Sequence, residues 1–197
     1  MNQKVNIAVI ILAAGASTRM GTAKQLLSYQ GATLLSHTIE TAIASICKPI
    51  IVVLGANEDK IKGNIDRSSV TVIKNKNWSL GMGSSIGVGI KYLSHYPQTI
   101  KAAVICVCDQ PFLTAEIINN LVFAYQTTRK PIIVCTYANT YGVPVLFDAQ
   151  FFSQLVSLNG KGGAKKIIKQ YKNDVSFIPF PQGMIDIDTP EDYQQLT

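Results

Sequence analysis

Five short runs, at residues 7–13, 50–54, 70–73, 102–107 and 132–136, are rich in isoleucine and valine and show no polar alternation. A strand with one wet face alternates apolar and polar side chains, so these runs predict strands covered on both faces, as in a mostly parallel sheet. Between them Leu35, Ile39, Ala42, Ile43 and Ile46 recur at helical spacing. Ile117, Ile118, Leu121, Val122 and Tyr125 do the same after Thr114, a good N-cap residue. Strand and helix therefore alternate, which predicts an α/β chain built as a three-layer α/β/α sandwich around a central, mostly parallel sheet, with ligands at the carboxyl ends of the strands. At 197 residues and 47% apolar content, one domain spanning residues 1–197 is expected.

The loop after the first run, Leu12-Ala-Ala-Gly-Ala-Ser-Thr-Arg-Met-Gly-Thr-Ala-Lys24, combines small residues with two cations. Gly15 and Gly21 can take positive φ and leave backbone N–H groups uncovered for phosphate oxygens. Arg19 offers a planar fork that grips two oxygens at once, and Lys24 a mobile point charge. The combination suits a nucleoside triphosphate. Neither the Gly-x-Gly-x-x-Gly of a dinucleotide fold nor the Gly-Lys-Ser/Thr of a P-loop is present.

Asp109 in Val104-Ile-Cys-Val-Cys-Asp-Gln-Pro111 stands just past a buried strand, where a carboxylate suits Mg²⁺, an ion that takes one or two protein carboxylates and completes its shell with water and substrate oxygens. A second metal position is offered by Asp186 and Asp188, two residues apart on an extended segment and so on one side of it, and the pattern admits either or both. The following Thr189-Pro190 with Asp192 reads as a helix start. In Trp78-Ser-Leu-Gly-Met-Gly-Ser-Ser-Ile-Gly-Val-Gly89, Gly81 and Gly83 let the backbone approach a flat ligand, while Ser84 or Ser85 supplies a hydrogen bond to a base edge or caps a helix. His37 and His95 fall in or near helices and read as structural.

The formal charge is +6, but no lysine and arginine run is interleaved with aromatics, so an anionic small substrate explains it better than nucleic acid. Lys161, Lys165, Lys166 and Lys169 form the densest basic group, open to reading as a solvated face or a substrate contact. Cys47, Cys106, Cys108 and Cys135 lack C-x-x-C spacing and are expected to be reduced and buried. With no signal-peptide pattern and no apolar run of the ~18–20 residues a membrane span needs, a cytoplasmic protein with no membrane partner is expected.

Residues 12–27 resemble the L-A-A-G-x-S-x-R-M-G-x-x-K-x-L-L signature of the MobA-like nucleotidyltransferases related to the molybdenum-cofactor enzymes. Cys-Asp-Gln-Pro, Gly-Met-Gly-Ser-Ser and Asp-Ile-Asp-Thr-Pro-Glu-Asp follow in the family's order and look most like its molybdenum cofactor cytidylyltransferase branch. The resemblance implies a Rossmann-like nucleotidyltransferase fold and transfer of CMP from CTP to molybdopterin, with Mg²⁺ as cofactor. It implies that Leu12, Ala13, Ala14 and Gly15 line the base pocket and that Arg19 and Lys24 bind the triphosphate and stabilise its transition state. A molybdoenzyme or its chaperone would be a further partner. Two departures fall on the acceptor side: Val143 stands where the family often has a polar residue in Gly-His-Pro, and Lys161 stands in place of an acid. A sugar phosphate or another phosphorylated alcohol is the alternative acceptor, and a non-catalytic cofactor carrier is the rival outside enzymology.

Overall fold

A computed structural model describes residues 6–96, 98–158, 160 and 162–196. Its strands are β1 (Ile7–Ala13), β2 (Ser28–Tyr29), β3 (Ala32–Thr33), β4 (Ile50–Leu54), β5 (Thr71–Lys74), β6 (Ala102–Val107), β7 (Ile132–Tyr137), β8 (Thr140–Asp148) and β9 (Val175–Pro179). Its helices are α1 (Leu34–Ala44), α2 (Glu58–Ile61), α3 (Met82–Tyr92), α4 (Ala115–Thr128), α5 (Phe152–Val156), α6 (Lys165–Gln170) and α7 (Pro190–Leu196). Seven strands form one sheet in the order β5-β4-β1-β6-β8-β7-β9, and β2 and β3 make a small separate hairpin.

Every residue of β1, β4 and β6 is buried, as unalternating apolar strands require. The pleat sorts them into two cores. Ile7, Val9 and Ile11 face α1 and α4 through Leu35, Ile39, Ile118 and Leu121, whereas Ala8, Ile10 and Leu12 face α3, α5 and α6 through Ile86, Ile90, Leu155 and Ile167. The result is a three-layer α/β/α sandwich with a mostly parallel sheet. β8 is the exception, running antiparallel to both β6 and β7. The fifth apolar run extends one residue further than its pattern, to Tyr137, and the third is shifted by one, to 71–74.

β1 pairs with β4 on one side and β6 on the other, both parallel, so the strand order reverses direction between β1 and β6. In an open parallel sheet the loops part at such a point and leave a crevice beyond the carboxyl ends of the strands. α3 lies close against this part of the sheet because Gly89 has no side chain; a Cβ there would meet Ile10 Cγ2 at 2.6 Å.

Candidate active site

The crevice is a cleft of about 330 Å³ whose floor and walls include Leu12, Ala13, Ala14, Gly15 and Lys24 from the first loop, Gly81 and Ser85 from the start of α3, and Asp109 from the end of β6. A Cβ on Gly15 would meet nothing within 4 Å, so this glycine leaves the floor open. Gly21 takes the left-handed conformation expected of it (φ 73°), but the other left-handed residue of the loop is Ser17 (φ 55°) rather than Gly15. The reason is local: in that conformation Ser17 Oγ accepts a hydrogen bond from the Lys24 amide at 3.1 Å.

The cations and carboxylates singled out by type lie together. Lys24 Nζ donates to Asp109 Oδ2 at 2.5 Å and Asp188 Oδ1 at 2.8 Å, and Arg19 Nη2 donates to Asp188 Oδ2 at 2.7 Å. Burial opposes the charge on Lys24, but the carboxylates of Asp109 and Asp188 outweigh it and hold the ammonium above its ordinary pKa. Burial likewise opposes the charge on Asp188, and Lys24 and Arg19 overcome it, holding this carboxyl low.

The tail of the chain is brought here by Ile187, whose amide donates to the Asp109 carbonyl at 2.9 Å and whose side chain is fully buried with Met20, Tyr29 and Leu34. With Ile187 pointing into that small core, Asp186 and Asp188 project on the other side of the extended segment. Asp186 keeps part of its surface in water, yet packing around it and the negative charges of Asp109 and Asp188 push its pKa up to about 6. α7 then starts on a reciprocal cap: Asp192 Oδ2 accepts from the Thr189 amide at 2.8 Å and Thr189 Oγ1 accepts from the Asp192 amide at 3.2 Å.

Gly83 and Ser84 serve the cleft from behind its wall. The Gly83 amide donates to the Gly160 carbonyl at 3.3 Å, and Ser84 Oγ donates toward the carbonyls of Asn77 and Gly81 while accepting from Asn75 Nδ2 at 2.8 Å. Asn75 Nδ2 also donates to Ser85 Oγ at 2.9 Å, and Asn75 Oδ1 accepts the Asn77 amide. This fully enclosed asparagine therefore fixes the turn that carries Trp78 into the cleft wall. Asn75 and Gln25 carry no distinguishing sequence signal, Asn75 lying within the polar run Lys74-Asn-Lys-Asn77 and Gln25 directly after Lys24, while Trp78 opens the Gly-Ser segment without a role assigned to it from sequence.

A divalent cation is compatible with this donor set. Asp109 Oδ1 is buried without a hydrogen-bond partner, and the neighbouring donors are carboxylate oxygens, the ligands hard cations prefer. No cage of three or more acidic, histidine or cysteine side chains is assembled among the described residues. Neither histidine lines the cleft: His37 packs edge-on against Tyr29 and His95 Nδ1 sits 3.1 Å from the Tyr92 carbonyl. All four cysteines are free and buried, and burial pushes the Cys108 thiol up to about 12. On the acceptor side Val143 is half-buried against the second core and Tyr141 meets Phe177 at 6.0 Å between ring centres. Lys165, Lys166 and Lys169 are exposed on α6, and Lys161 lies outside the described residues. No helix among the described residues is long and apolar enough to cross a membrane.

Comparison with known proteins gives the same architecture. The chain is 29% identical to the nicotine blue oxidoreductase of Paenarthrobacter nicotinovorans over 95% of its length and 94% of the relative's. It is 24% identical to the molybdenum cofactor cytidylyltransferase of Escherichia coli (strain K12), covering 93% of this chain and 92% of that one. Among solved structures, the Rv0371c homologue from Mycobacterium sp. strain JC1 superposes with a TM-score of 0.83 at 30% identity, covering 96% of this chain and 94% of the other. Rv0371c of Mycobacterium tuberculosis H37Rv, solved in complex with manganese, does so at 0.78 and 25% identity, with 98% of each chain covered. Residues 9–175 match the model of the MobA-like NTP transferase domain, and the chain belongs to that family.

Proposed function

We propose that residues 1–197 form one nucleotidyltransferase domain that moves CMP from CTP to the phosphate of molybdopterin and releases pyrophosphate. The observation that carries the reading is the meeting of Arg19 and Lys24 with Asp109 and Asp188 at the mouth of one cleft. Two cations and two or three acids are what a triphosphate and its counter-ion need, and they arrive from the beginning, the middle and the tail of the chain.

In the chain without ligand the two sets neutralise each other. A bound triphosphate offers Lys24 and Arg19 phosphate oxygens in place of carboxylates, and Arg19 can grip two of them at once. Asp109, with Asp186 or Asp188, would hold Mg²⁺, which neutralises charge on the phosphate oxygens. The acceptor phosphate oxygen attacks the α-phosphorus in line, a new P–O bond forms, and the bond to the pyrophosphate oxygen breaks. A phosphate monoester with a second pKa of about 6 is already mostly ionised near neutrality, so the chain needs no strong base, in keeping with a cleft that no histidine lines. Positioning and electrostatic stabilisation supply the catalysis.

The two departures from the family pattern, Val143 and Lys161, both fall on the acceptor side, so the acceptor is the part of the reading that the assay decides. The test is pyrophosphate release with each of the four nucleoside triphosphates and Mg²⁺, against molybdopterin and a panel of sugar phosphates. Release with CTP and molybdopterin is expected. Release with sugar phosphates alone would move the reading to the alternative acceptor. CTP binding without turnover on any acceptor would favour a carrier, and oxidation of a reduced nicotinamide without pyrophosphate release would overturn the reading.

A further inference from the structure

Gln25 touches neither the ion-pair network nor the acceptor side, yet its carboxamide is tied to every part of the first loop. It lies in the single turn 24–26 and is 1% exposed. Nε2 donates to the Ala13 and Gly15 carbonyls, both at 3.0 Å, so both amide hydrogens are used. Oε1 accepts from Ser17 Oγ at 3.4 Å, and the same hydroxyl accepts from the Lys24 amide at 3.1 Å. One buried side chain thus joins the end of β1 to the residue that carries the central cation.

The consequence is a matter of polarity. The Ala14 carbonyl, between the two held by Gln25, accepts from the Ala56 amide at 3.1 Å. Three successive carbonyls of the loop that lines the cleft are therefore already bonded within the protein, two to Gln25 and one to the Ala56 amide. A carbonyl held by an internal donor is not turned toward a ligand in search of a partner, so these bonds keep the backbone that lines the cleft in one conformation. Without the carboxamide, two buried carbonyls would lack partners, and the peptides would turn to find new ones. A rotation there would present oxygen lone pairs to an anionic substrate.

We infer that Gln25 is a positioning residue: it fixes the conformation of residues 13–17 where they line the nucleotide cleft and, through Ser17, where Lys24 leaves the backbone. This rests on the nucleotide reading of the cleft. The role needs two hydrogens on one nitrogen and an acceptor oxygen beside it, inside an enclosed space, and asparagine, which has the same group, is one methylene shorter. Glutamate matches the shape but sets a carboxylate against two carbonyls. Methionine matches the length but donates nothing.

Isothermal titration of the full chain with CTP and Mg²⁺, beside a thermal melt of each variant, tests the assignment. Gln25→Met and Gln25→Glu should weaken CTP binding by about tenfold or more at a temperature where both are folded, because a loop displaced by ~1 Å misplaces every group it carries. Ser17→Gly keeps the left-handed backbone and removes only the link between Gln25 and Lys24, so a smaller loss in the same direction is expected. The preference among the four triphosphates should also narrow in Gln25→Met, a readout that a purely structural role would leave alone. Affinity within twofold of wild type and an unchanged base preference in the folded variants would overturn the assignment while leaving the nucleotide reading intact. Should the Gln25 variants fail to fold, Ser17→Gly decides it: unchanged CTP affinity there overturns the relay to Lys24. A wild-type chain that binds no triphosphate would overturn both.

Discussion

Asp188 commits both oxygens to the two cations, one to Lys24 and one to Arg19, whereas Asp109 commits one and keeps the other buried and unpartnered. If the cleft takes a triphosphate, the two acids would have different parts: Asp188 would compete with phosphate for both cations, and its charge would have to be displaced before they turn to a ligand. Asp188→Asn should bind CTP several-fold more tightly than wild type in the presence of EDTA, since Arg19 loses its carboxylate and Lys24 keeps only Asp109, while turnover with Mg²⁺ falls; tighter binding absent from a calorimetric titration would reject the latch. Asp109→Asn removes charge at the end of β6 and should lower the rate of pyrophosphate release by on the order of 10²–10³, the scale seen when one preorganised charge-stabilising group is lost. Near wild-type turnover would reject its role at the metal. Arg19→Lys should also be harmful, because a fork becomes a point charge; unchanged kinetics would count against a phosphate contact.

Element boundaries divide into those written locally and those set by pairing across the chain. α4 begins where Thr114 predicts, with its hydroxyl accepting the Ile117 amide at 3.3 Å, and α7 begins at Pro190 behind the Thr189 and Asp192 cap. Thr114→Ala should lower stability by about 1 kcal/mol in denaturant titration and leave pyrophosphate release unaltered, as the cost of one N-cap far from the cleft. The five apolar runs became strands, but covering on both faces is complete only in β1, β4 and β6; β5, at the edge of the sheet, is only partly buried and starts one residue later than its pattern. β8 was not legible: Gly142 and Pro144 interrupt its alternation, and its place between β6 and β7 depends on antiparallel pairing that no local signal encodes. β9 is a five-residue edge strand ending in Pro179, where the missing amide is tolerated. The two-residue strands of the hairpin are too short to show any period.

At the scale of the whole molecule, residue type identified the cations and acids, but the partner exchange between them was not legible. Lys24 is 85 residues from Asp109 and 164 from Asp188; the pairing of β1 with β6 closes the first distance, and the docking of Ile187 on the Asp109 carbonyl and into the core with Met20 closes the second. Gathering acids in this way has a cost that pH can expose. Packing and the charges of Asp109 and Asp188 raise the Asp186 pKa from 3.8 to about 6. Between those values the folded chain keeps a proton that the unfolded chain has lost, so this group's contribution to stability falls as pH rises from about 3.8 to about 6 and stays at its lowest above that. Asp186→Asn removes the penalty, and its melting temperature relative to wild type should be higher at pH 8 than at pH 4. Mg²⁺ binds the folded chain and should relieve the same repulsion, so it should raise the wild-type melting temperature more at pH 8 than at pH 5 and raise that of Asp186→Asn less. Melts of both proteins at the three pH values, with EDTA or with Mg²⁺, check the pair of expectations. A variant whose offset from wild type is the same at pH 4 and pH 8 would show that Asp186 feels no repulsion from Asp109 and Asp188 in solution, and a metal response indifferent to Asp186→Asn would leave Asp109 and Asp188 as the ion's carboxylates.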